Sequence, residues 1–211
     1  VLIVNFNGGE RLRRCVQSVL KSHLRNIEVI VVDNGSTDAS ISSLCNLPKE
    51  GIPLKVIKNS KNLGPAAARN VGIAACAGKY VAFLDNDTEV DPGWLVEPLT
   101  IMDNDLTVGA CQSKLLLMSD PRSLDYVGDH LGPYGFLIQR ARHGERDNGQ
   151  FDTIEEILTA KSASMIVRRA ILEKIGTFDE EYFIYLEETD LCWRIWLRGL
   201  RVLLAPTSLV Y

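Results

Sequence analysis

The side chains best able to do chemistry in this chain are carboxylates. Asp85 and Asp87 stand two residues apart, and a strand that carried both would set them on one side, because side chains alternate along a strand. Hard oxygen ligands at that spacing suit Mg²⁺ or Mn²⁺ better than zinc. A polar loop with Asp87 capping a turn would use the same residues, so the short pattern alone does not choose. A second cluster is Glu187, Glu188 and Asp190. A helix start favours carboxylates through its dipole whether or not they react; one of these could also accept a proton from an attacking hydroxyl. Asp33 ends an apolar run and is followed by Asn34-Gly35-Ser36-Thr37-Asp38. Its carboxylate can accept a hydrogen bond from a base or ribose, or make an Asx turn. Asn62-Leu63-Gly64 with Arg69 fits a loop-to-helix anion site, where free N–H groups and a forked cation meet, and fits a capped helix with a surface arginine equally. The three histidines, His23, His130 and His143, form no metal-ligand spacing. His23 reads as a structural residue on a helix, the other two as loop residues.

These groups need elements to hold them. Residues 1–4 form a strand-length apolar run, Asn7-Gly8-Gly9 signals a turn, and Leu12, Cys15, Val16, Val19 and Leu20 repeat as a helical stripe. The unit recurs: a β-branched strand over 27–32, then a helix over 39–44 behind turn and N-cap residues. A third strand at 54–57 leads into an alanine-rich helix with Ala67, Val71, Ala74 and Ala75 on one face, and a fourth, buried strand at 80–84 ends at Asp85-Asn86-Asp87. Alternation of this kind predicts an α/β fold with a doubly wound, mostly parallel sheet, helices on both faces and ligands beyond the carboxyl ends of the strands. Farther on, the patterns predict a helix at 94–102, a strand within 108–117, long polar loops over 119–149, a strand at 163–167, helices at 169–175 and 188–198, and a closing strand at 200–204.

With 211 residues and 46% hydrophobic content, the chain can bury one core and has little room for a second domain. A net charge of −4 provides no overall positive field for nucleic acid or anionic lipid, so nucleic acid is not an expected partner and an anionic substrate must be met by local groups or a metal. The five cysteines are widely spaced and form no CxxC pair, a pattern of a reduced, cytoplasmic compartment. No apolar run approaches the length of a membrane span, and these 211 residues show no signal-peptide pattern of basic, apolar and small-residue regions. Both ends lie inside apolar runs, at Val1 and at Val210-Tyr211, so the sequence reads as cut within structured elements. That leaves room for peripheral association with the cytoplasmic face of a membrane through segments outside it.

The order of the motifs carries more than any one of them. Val4-Asn5-Phe6-Asn7-Gly8, Val31-Val32-Asp33-Asn34-Gly35-Ser36-Thr37-Asp38, Asn62-Leu63-Gly64 with Ala68-Arg69-Asn70, and Phe83-Leu84-Asp85-Asn86-Asp87 follow one another, then Gly176-Thr177-Phe178-Asp179-Glu180 and Glu187-Glu188-Thr189-Asp190-Leu191-Cys192-Trp193-Arg194. Together they resemble the family 2 glycosyltransferases of the GT-A fold across nearly the whole chain. The resemblance implies a single domain, 1–211, with a nucleotide-binding half (1–90) and an acceptor-binding half (91–211). It implies inverting transfer of a sugar from a nucleoside diphosphate, a UDP-sugar or dTDP-sugar, to a hydroxyl of a glycan or lipid-linked acceptor. Cell-surface polysaccharide synthesis, of a rhamnosyltransferase-like kind, is the nearest setting. Asp33 would bind the base, with Asn5, Phe6 and Asn7 lining the pocket and Asn34, Ser36, Asn62 and Gly64 beside it. Arg69 would help hold the nucleotide. Asp85 and Asn86 would sit by the ribose and metal, and Asp87, with Asp85, would ligate the Mn²⁺ or Mg²⁺ that bridges the phosphates. Where the family's helix usually begins Glu-Asp-x-Asp, this one begins Glu187-Glu188-Thr189-Asp190, so the base falls to Glu188, with Asp190 in reserve. A metal-facing histidine that members tend to carry past the last strand would lie beyond Tyr211.

Other chemistries fit less of the chain. Phe83-Leu84-Asp85-Asn86-Asp87-Thr88 also matches the nucleophile motif of haloacid-dehalogenase phosphatases, but that motif opens its domain and here three strand-helix units precede it. Asn7-Gly8-Gly9-Glu10-Arg11 is too thin for the glycine-rich basic loop of a nucleotide-sugar pyrophosphorylase, and no GxGxxG supports a dinucleotide oxidoreductase. A descendant that binds sugar nucleotide without turning it over remains open, because Glu188 departs from the family's aspartate.

Overall fold

The computed structural model describes residues 1–48 and 51–211. Four short, β-branched or apolar runs form parallel neighbours: β1 (Leu2–Asn5), β2 (Val29–Asp33), β3 (Leu54–Lys58) and β4 (Tyr80–Asp85) lie in the order β3-β2-β1-β4. Their side chains alternate between two cores, as the pleat requires. Ile3, Val29, Val31, Ala82 and Leu84 face one core; Leu2, Ile30, Val32, Val81 and Phe83 face the other. A sheet apolar on both faces must be covered on both. On the first side lies α1 (Glu10–Leu20), whose stripe Leu12, Cys15, Val16, Val19 and Leu20 is buried as its spacing predicts, with α3 (Val96–Asn104) beside it. On the second lies α2 (Pro65–Ala75), which approaches closely because it presents Ala66, Ala68 and Gly72; a methyl on Gly72 would overlap the Leu2 side chain.

The sheet continues through β5 (Val108–Leu117), β10 (Ser164–Arg168) and β11 (Arg201–Val210), in the order β4-β10-β5-β11, with the two-residue β9 (Glu155–Glu156) at its edge. The sheet is therefore mixed: β10 runs antiparallel to both β4 and β5, while β11 is parallel to β5. Two more helices, α4 (Arg169–Ile175) and α5 (Glu187–Leu197), add Ile171, Leu172, Leu191, Cys192 and Ile195 to the second core. The doubly wound α/β architecture expected from the alternation is present, and one continuous sheet joins its two halves.

Four local expectations change. No helix spans 39–44: only a single 3₁₀ turn, Ser42–Leu44, forms. The hydroxyls of Ser42 and Ser43 bond back to the carbonyls of Ala39 and Ser40 (2.9 and 2.6 Å), the competition with helix hydrogen bonding that makes serine a turn residue. The 119–149 stretch is not only loop. It holds β6 (Asp120–Tyr126), paired with β5, and a small hairpin of β7 (Asp129–Leu131) and β8 (Leu137–Gln139). β6 buries its residues without strict in–out alternation, so its sequence carries no strand period. The closing strand runs on past Pro206, because a register shift between Ala205 and Leu209 takes the proline out of the ladder. Finally, His23 lies beyond the end of α1 rather than on it.

Candidate active site

The sheet's register gathers the polar residues. Asn5 pairs with Asp33 and Val4 with Asp85 across parallel ladders, so three strand ends present Asn5, Asp33 and Asp85 along one carboxyl edge. Asp33 is only 5% exposed. Its Oδ1 accepts from Asn5 Nδ2 (3.3 Å) and the Ser36 N–H (3.4 Å). No donor among the described residues reaches its Oδ2, which leaves that lone-pair site for a ligand. Asn5 is buried and organises its surroundings: Nδ2 also donates to Ser36 Oγ (3.0 Å) and Ser40 Oγ (2.9 Å), and Oδ1 accepts from Asn86 Nδ2 (2.9 Å). Gly8 is obligatory here, since a methyl on it would overlap both Asn5 Oδ1 and Asn86 Nδ2. Asn7 takes a left-handed backbone (φ 51°) and locks the loop to its neighbour, its N–H donating to Ser36 Oγ (2.9 Å) and its Oδ1 accepting from the Thr37 N–H (2.8 Å). Phe6 presents its side chain to solvent, 47% exposed.

Asn34 and Asn62 build the next loop. Asn34 Nδ2 donates to Asn62 Oδ1 (2.8 Å) and the Gly64 carbonyl (3.2 Å), while its Oδ1 accepts from Asn59 Nδ2 and the Leu63 N–H (both 3.1 Å). Those four bonds use all its donor and acceptor capacity, so Asn34 shapes the loop and has nothing left for a ligand. Gly64, at φ 83°, starts α2 with no side-chain cap and lies against Phe183.

Arg69 differs most from its expected surroundings. It is 6% exposed, and its guanidinium is already committed: Nη1 donates to Glu187 Oε1 (2.6 Å), Nη2 to Asp85 Oδ1 (3.4 Å), and the group lies 5.4 Å from the Phe178 ring centroid. Phe178 meets Phe83 edge to face at 5.2 Å. Asn70 fixes Phe178 by a reciprocal pair, Nδ2 to its carbonyl (2.8 Å) and its N–H to Oδ1 (3.0 Å). The sequence carries no signal of this support, because 108 positions separate Asn70 from Phe178 and no spacing rule reaches that far.

At Asp85 the strand ends, and Asn86 and Asp87 enter a turn closed by the Thr88 hydroxyl on the Asp85 carbonyl (2.9 Å). Buried Cys15 donates to the same carbonyl (3.4 Å). The alternation that would align Asp85 with Asp87 along a strand therefore does not apply. The turn instead sends Asn86 inward to Asn5 and leaves Asp87 exposed, 3.6 Å from Arg11. Burial raises the Asp85 carboxyl above its ordinary range; Arg69 opposes this and Asp87 adds to it.

α5 opens with Leu186 in a left-handed conformation (φ 69°). Glu187 is buried. Glu188, partly buried, is pushed up to about 7, first by desolvation and then by the charge of Glu187. Asp190 is engaged by Arg194 (2.6 and 2.9 Å), which also holds the carbonyls of Ile175, Gly176 and Thr177. It ties α5 to α4. His143 pairs with Asp125 (2.8 Å), and His130 is exposed on β7. Neither is brought to this edge by any contact.

Among the described residues no group of three or more His, Cys, Asp or Glu side chains forms a cation cage. Asp85 and Asp87 nevertheless fit a hard divalent ion. Each offers carboxylate oxygens held only by long contacts to an arginine, and Mg²⁺ or Mn²⁺ is commonly bound by one or two carboxylates with the rest of its shell from substrate phosphates and water. A cavity of about 620 Å³ opens at the opposite end of the sheet, lined by Val1, Glu28, Cys76, Lys79 and Tyr80 among others. It contains none of the candidate site residues. No helix is long and apolar enough to cross a membrane among the described residues.

The sequence pattern of glycosyl transferase family 2 matches residues 1–176. The pre-mycofactocin glycosyltransferase of Mycobacterium tuberculosis is 32% identical over 219 residues, an alignment that covers all of this chain and 41% of that protein. The chain thus spans about two-fifths of that relative's length. In solved structures the fold recurs in GalNAc-T7, crystallised with UDP, GalNAc and Mn²⁺ (TM-score 0.78, 19% identity, 99% of this chain, 42% of that one). It recurs also in the mannosyltransferase PcManGT of Pyrobaculum calidifontis, in complex with GDP-Man and Mn²⁺ (TM-score 0.74, 17% identity, 99% of this chain, 55% of that one). The architecture is that of the GT-A glycosyltransferases.

Proposed function

Because the chain belongs to glycosyl transferase family 2, we propose that it moves a sugar from a nucleoside diphosphate to an acceptor hydroxyl with inversion at the anomeric carbon. The observation that supports this reading is Arg69, which bonds both Asp85, at a strand end beside Asp33 with its free oxygen, and Glu187, the neighbour of a Glu188 whose proton affinity lies near neutrality. Asp33 accepts from the base's imide N–H, and Phe6 lies at the rim of the same pocket. This favours a UDP-sugar or dTDP-sugar, both of which carry that donor. Asp85 and Asp87 would hold Mn²⁺ or Mg²⁺. When bound, that ion supplies Lewis-acid stabilisation of the departing diphosphate.

Glu188 takes the acceptor's proton as the hydroxyl oxygen bonds to the anomeric carbon and the bond from that carbon to the diphosphate oxygen breaks. A pKa near 7 suits a base working near neutral pH. Asp190, spent on Arg194, is the weaker candidate. Residues 91–211, with β6 and the β7–β8 hairpin, would form the acceptor side, and the acceptor would be a glycan or lipid-linked hydroxyl in surface polysaccharide synthesis. The phosphatase alternative gains nothing from the family match or from the fold.

A thermal-shift panel of UDP-, dTDP- and GDP-sugars with and without Mn²⁺ tests the reading. Stabilisation by a uridine or thymidine donor that grows with Mn²⁺ is expected; no response to any donor would overturn it. With the donor identified, Glu188→Gln should keep donor affinity and lose about 10²-fold or more in turnover, the usual scale for a general base. Turnover absent from the wild type would leave a sugar-nucleotide binder.

A further inference from the structure

The segment between Phe178 and Glu187 is pinned at both ends by neighbouring residues of α2. Asn70 donates from Nδ2 to the Phe178 carbonyl (2.8 Å) and to Glu180 Oε1 (3.0 Å), and Arg69 holds Glu187 (2.6 Å). Between these pins Tyr182, Phe183, Ile184, Tyr185 and Leu186 are each between 38 and 75% exposed. Five consecutive large apolar residues, exposed on a segment fixed at both ends, mark a contact surface, since a protein surface normally keeps such patches small. Tyr185 and Leu186 both take left-handed backbone (φ 72° and 69°), which residues with a Cβ rarely adopt and which gathers at ligand-binding segments. Resting on the reading of Glu188 as the base, we propose that this segment is the acceptor platform, on which a neutral pyranose stacks against the exposed aromatic rings, Tyr185 foremost, and so brings a hydroxyl to Glu188.

Position comes first. Tyr185 precedes Glu188 by three residues, so their Cα atoms are at most about 11 Å apart, and the Asp190 N–H on the Leu186 carbonyl (2.9 Å) closes the first turn of α5. Within that span a sugar ring can lie on Tyr185 and present a hydroxyl to Glu188, whose Oε2 is buried with no hydrogen-bond partner among the described residues. Phe183 lies against Gly64, whose carbonyl Asn34 holds in the loop that opens α2. The segment therefore runs from the candidate nucleotide loop to the candidate base.

Charge then selects the occupant. Residues 175–193 include no Lys or Arg, while Asp179, Glu180, Glu181, Glu187, Glu188 and Asp190 flank the aromatic run. Arg69, which reaches the segment from α2, is already bonded to Glu187 and Asp85, and Arg194 to Asp190. An anionic lipid headgroup or a polyphosphate acceptor would be repelled here, because such groups are met by free Lys and Arg. A neutral sugar suits both parts of the surface. The C–H bonds of a pyranose face carry slight positive charge and settle on the negative face of an aromatic ring, and its hydroxyls donate to carboxylates. The ring of Tyr185, not its hydroxyl, makes the contact, so phenylalanine should replace it and alanine should not.

The test is an NMR titration of the full chain labelled at its tyrosine rings, with UDP and Mn²⁺ present and the methyl glycosides of glucose, galactose, mannose and rhamnose as probes. The Tyr185 signals are assigned by their loss in Y185A. They should shift saturably with at least one glycoside. Followed at the backbone amides, Y185F should bind that glycoside as the wild type does, and Y185A about two- to tenfold more weakly, the scale of one aromatic contact. Y185G, which suits the left-handed backbone, should repeat the loss, so that a folding fault in one variant leaves the other to decide. Tyr185 ring signals that no glycoside moves, or wild-type affinity in both Y185A and Y185G, would overturn the platform. So would binding to phosphatidylcholine vesicles, or a dimer in sedimentation, that Y185A abolishes; these would assign the patch to a bilayer or to a second copy of the chain. Thermal shift with UDP-sugars and Mn²⁺ keeps the two readings apart. A donor response without glycoside contact leaves glycosyl transfer and overturns the platform; glycoside contact without any donor response leaves a sugar-binding segment and overturns glycosyl transfer.

Discussion

Glu188→Gln should make the protein more stable at alkaline pH while it removes the proposed base. The Glu188 carboxyl is raised from 4.5 to about 7, so the folded state binds a proton more tightly there than the unfolded chain does. Between those two values the folded state carries more protons, and stability falls as pH rises. The penalty is fully present above about pH 7 and absent below about 4.5. At roughly 1.4 kcal/mol per unit of displacement, its ceiling is about 3 kcal/mol. Glutamine carries no charge to desolvate. Urea denaturation of both proteins at pH 4, 6 and 8.5 reads the difference. The variant should match the wild type at pH 4 and gain up to about 3 kcal/mol at pH 8.5, with most of the change between. A gain that does not vary with pH, or a variant less stable at pH 8.5, would refute a desolvated, crowded carboxyl at this position.

Two further substitutions separate binding from folding at the donor end. Asp87 is exposed and its ion pair with Arg11 is long, so Asp87→Ala should change stability by less than about 0.5 kcal/mol. Calorimetry should nevertheless find Mn²⁺-dependent UDP binding lost, and unchanged affinity would remove Asp87 from the metal site. Gly8→Ala places a methyl against Asn5 Oδ1 and Asn86 Nδ2. It should lower stability by about 1–3 kcal/mol and weaken UDP binding; a wild-type melting temperature would show that the first loop is less tightly packed than described.

The readable parts of this chain are those whose information is local. The α1 stripe, the four parallel strands and the placing of Asp33 and Asp85 at strand ends all follow from periodicity within a dozen residues, and register then brings Asn5, Asp33 and Asp85 to one edge. Two kinds of feature escaped. Short or irregular strands escaped: β7 and β8 are too short to show a period and are held by pairing with each other, and the part of β11 beyond Pro206 is held by the distant β5. Side-chain commitments escaped also. Asn34 looks like a ligand contact by type and place, yet its amide is consumed by Asn59, Asn62, Leu63 and Gly64. Its neighbour Asp33 keeps a free oxygen, and no pattern in 33–38 distinguishes the two.

Arg69 shows most clearly how such a commitment alters function. Its place one turn into a helix after a glycine loop suits a phosphate clamp, but a guanidinium at 2.6 Å from Glu187 and against Phe178 is not free to meet a diphosphate without giving up a buried ion pair. Removing one partner of such a pair typically destabilises a protein by about 3–5 kcal/mol, because the other charge is left behind. A nucleotide phosphate would have to repay that loss before gaining anything from Arg69. The arginine acts more economically where it stands: it holds one oxygen of Glu187, steadies Asp85, and links the strand end that would carry the metal to the helix that would carry the base. The groups proposed for the donor side and the acceptor side are thus joined through one buried cation. A displacement of Asp85 on donor binding would therefore be felt at Glu187, and through it at the base.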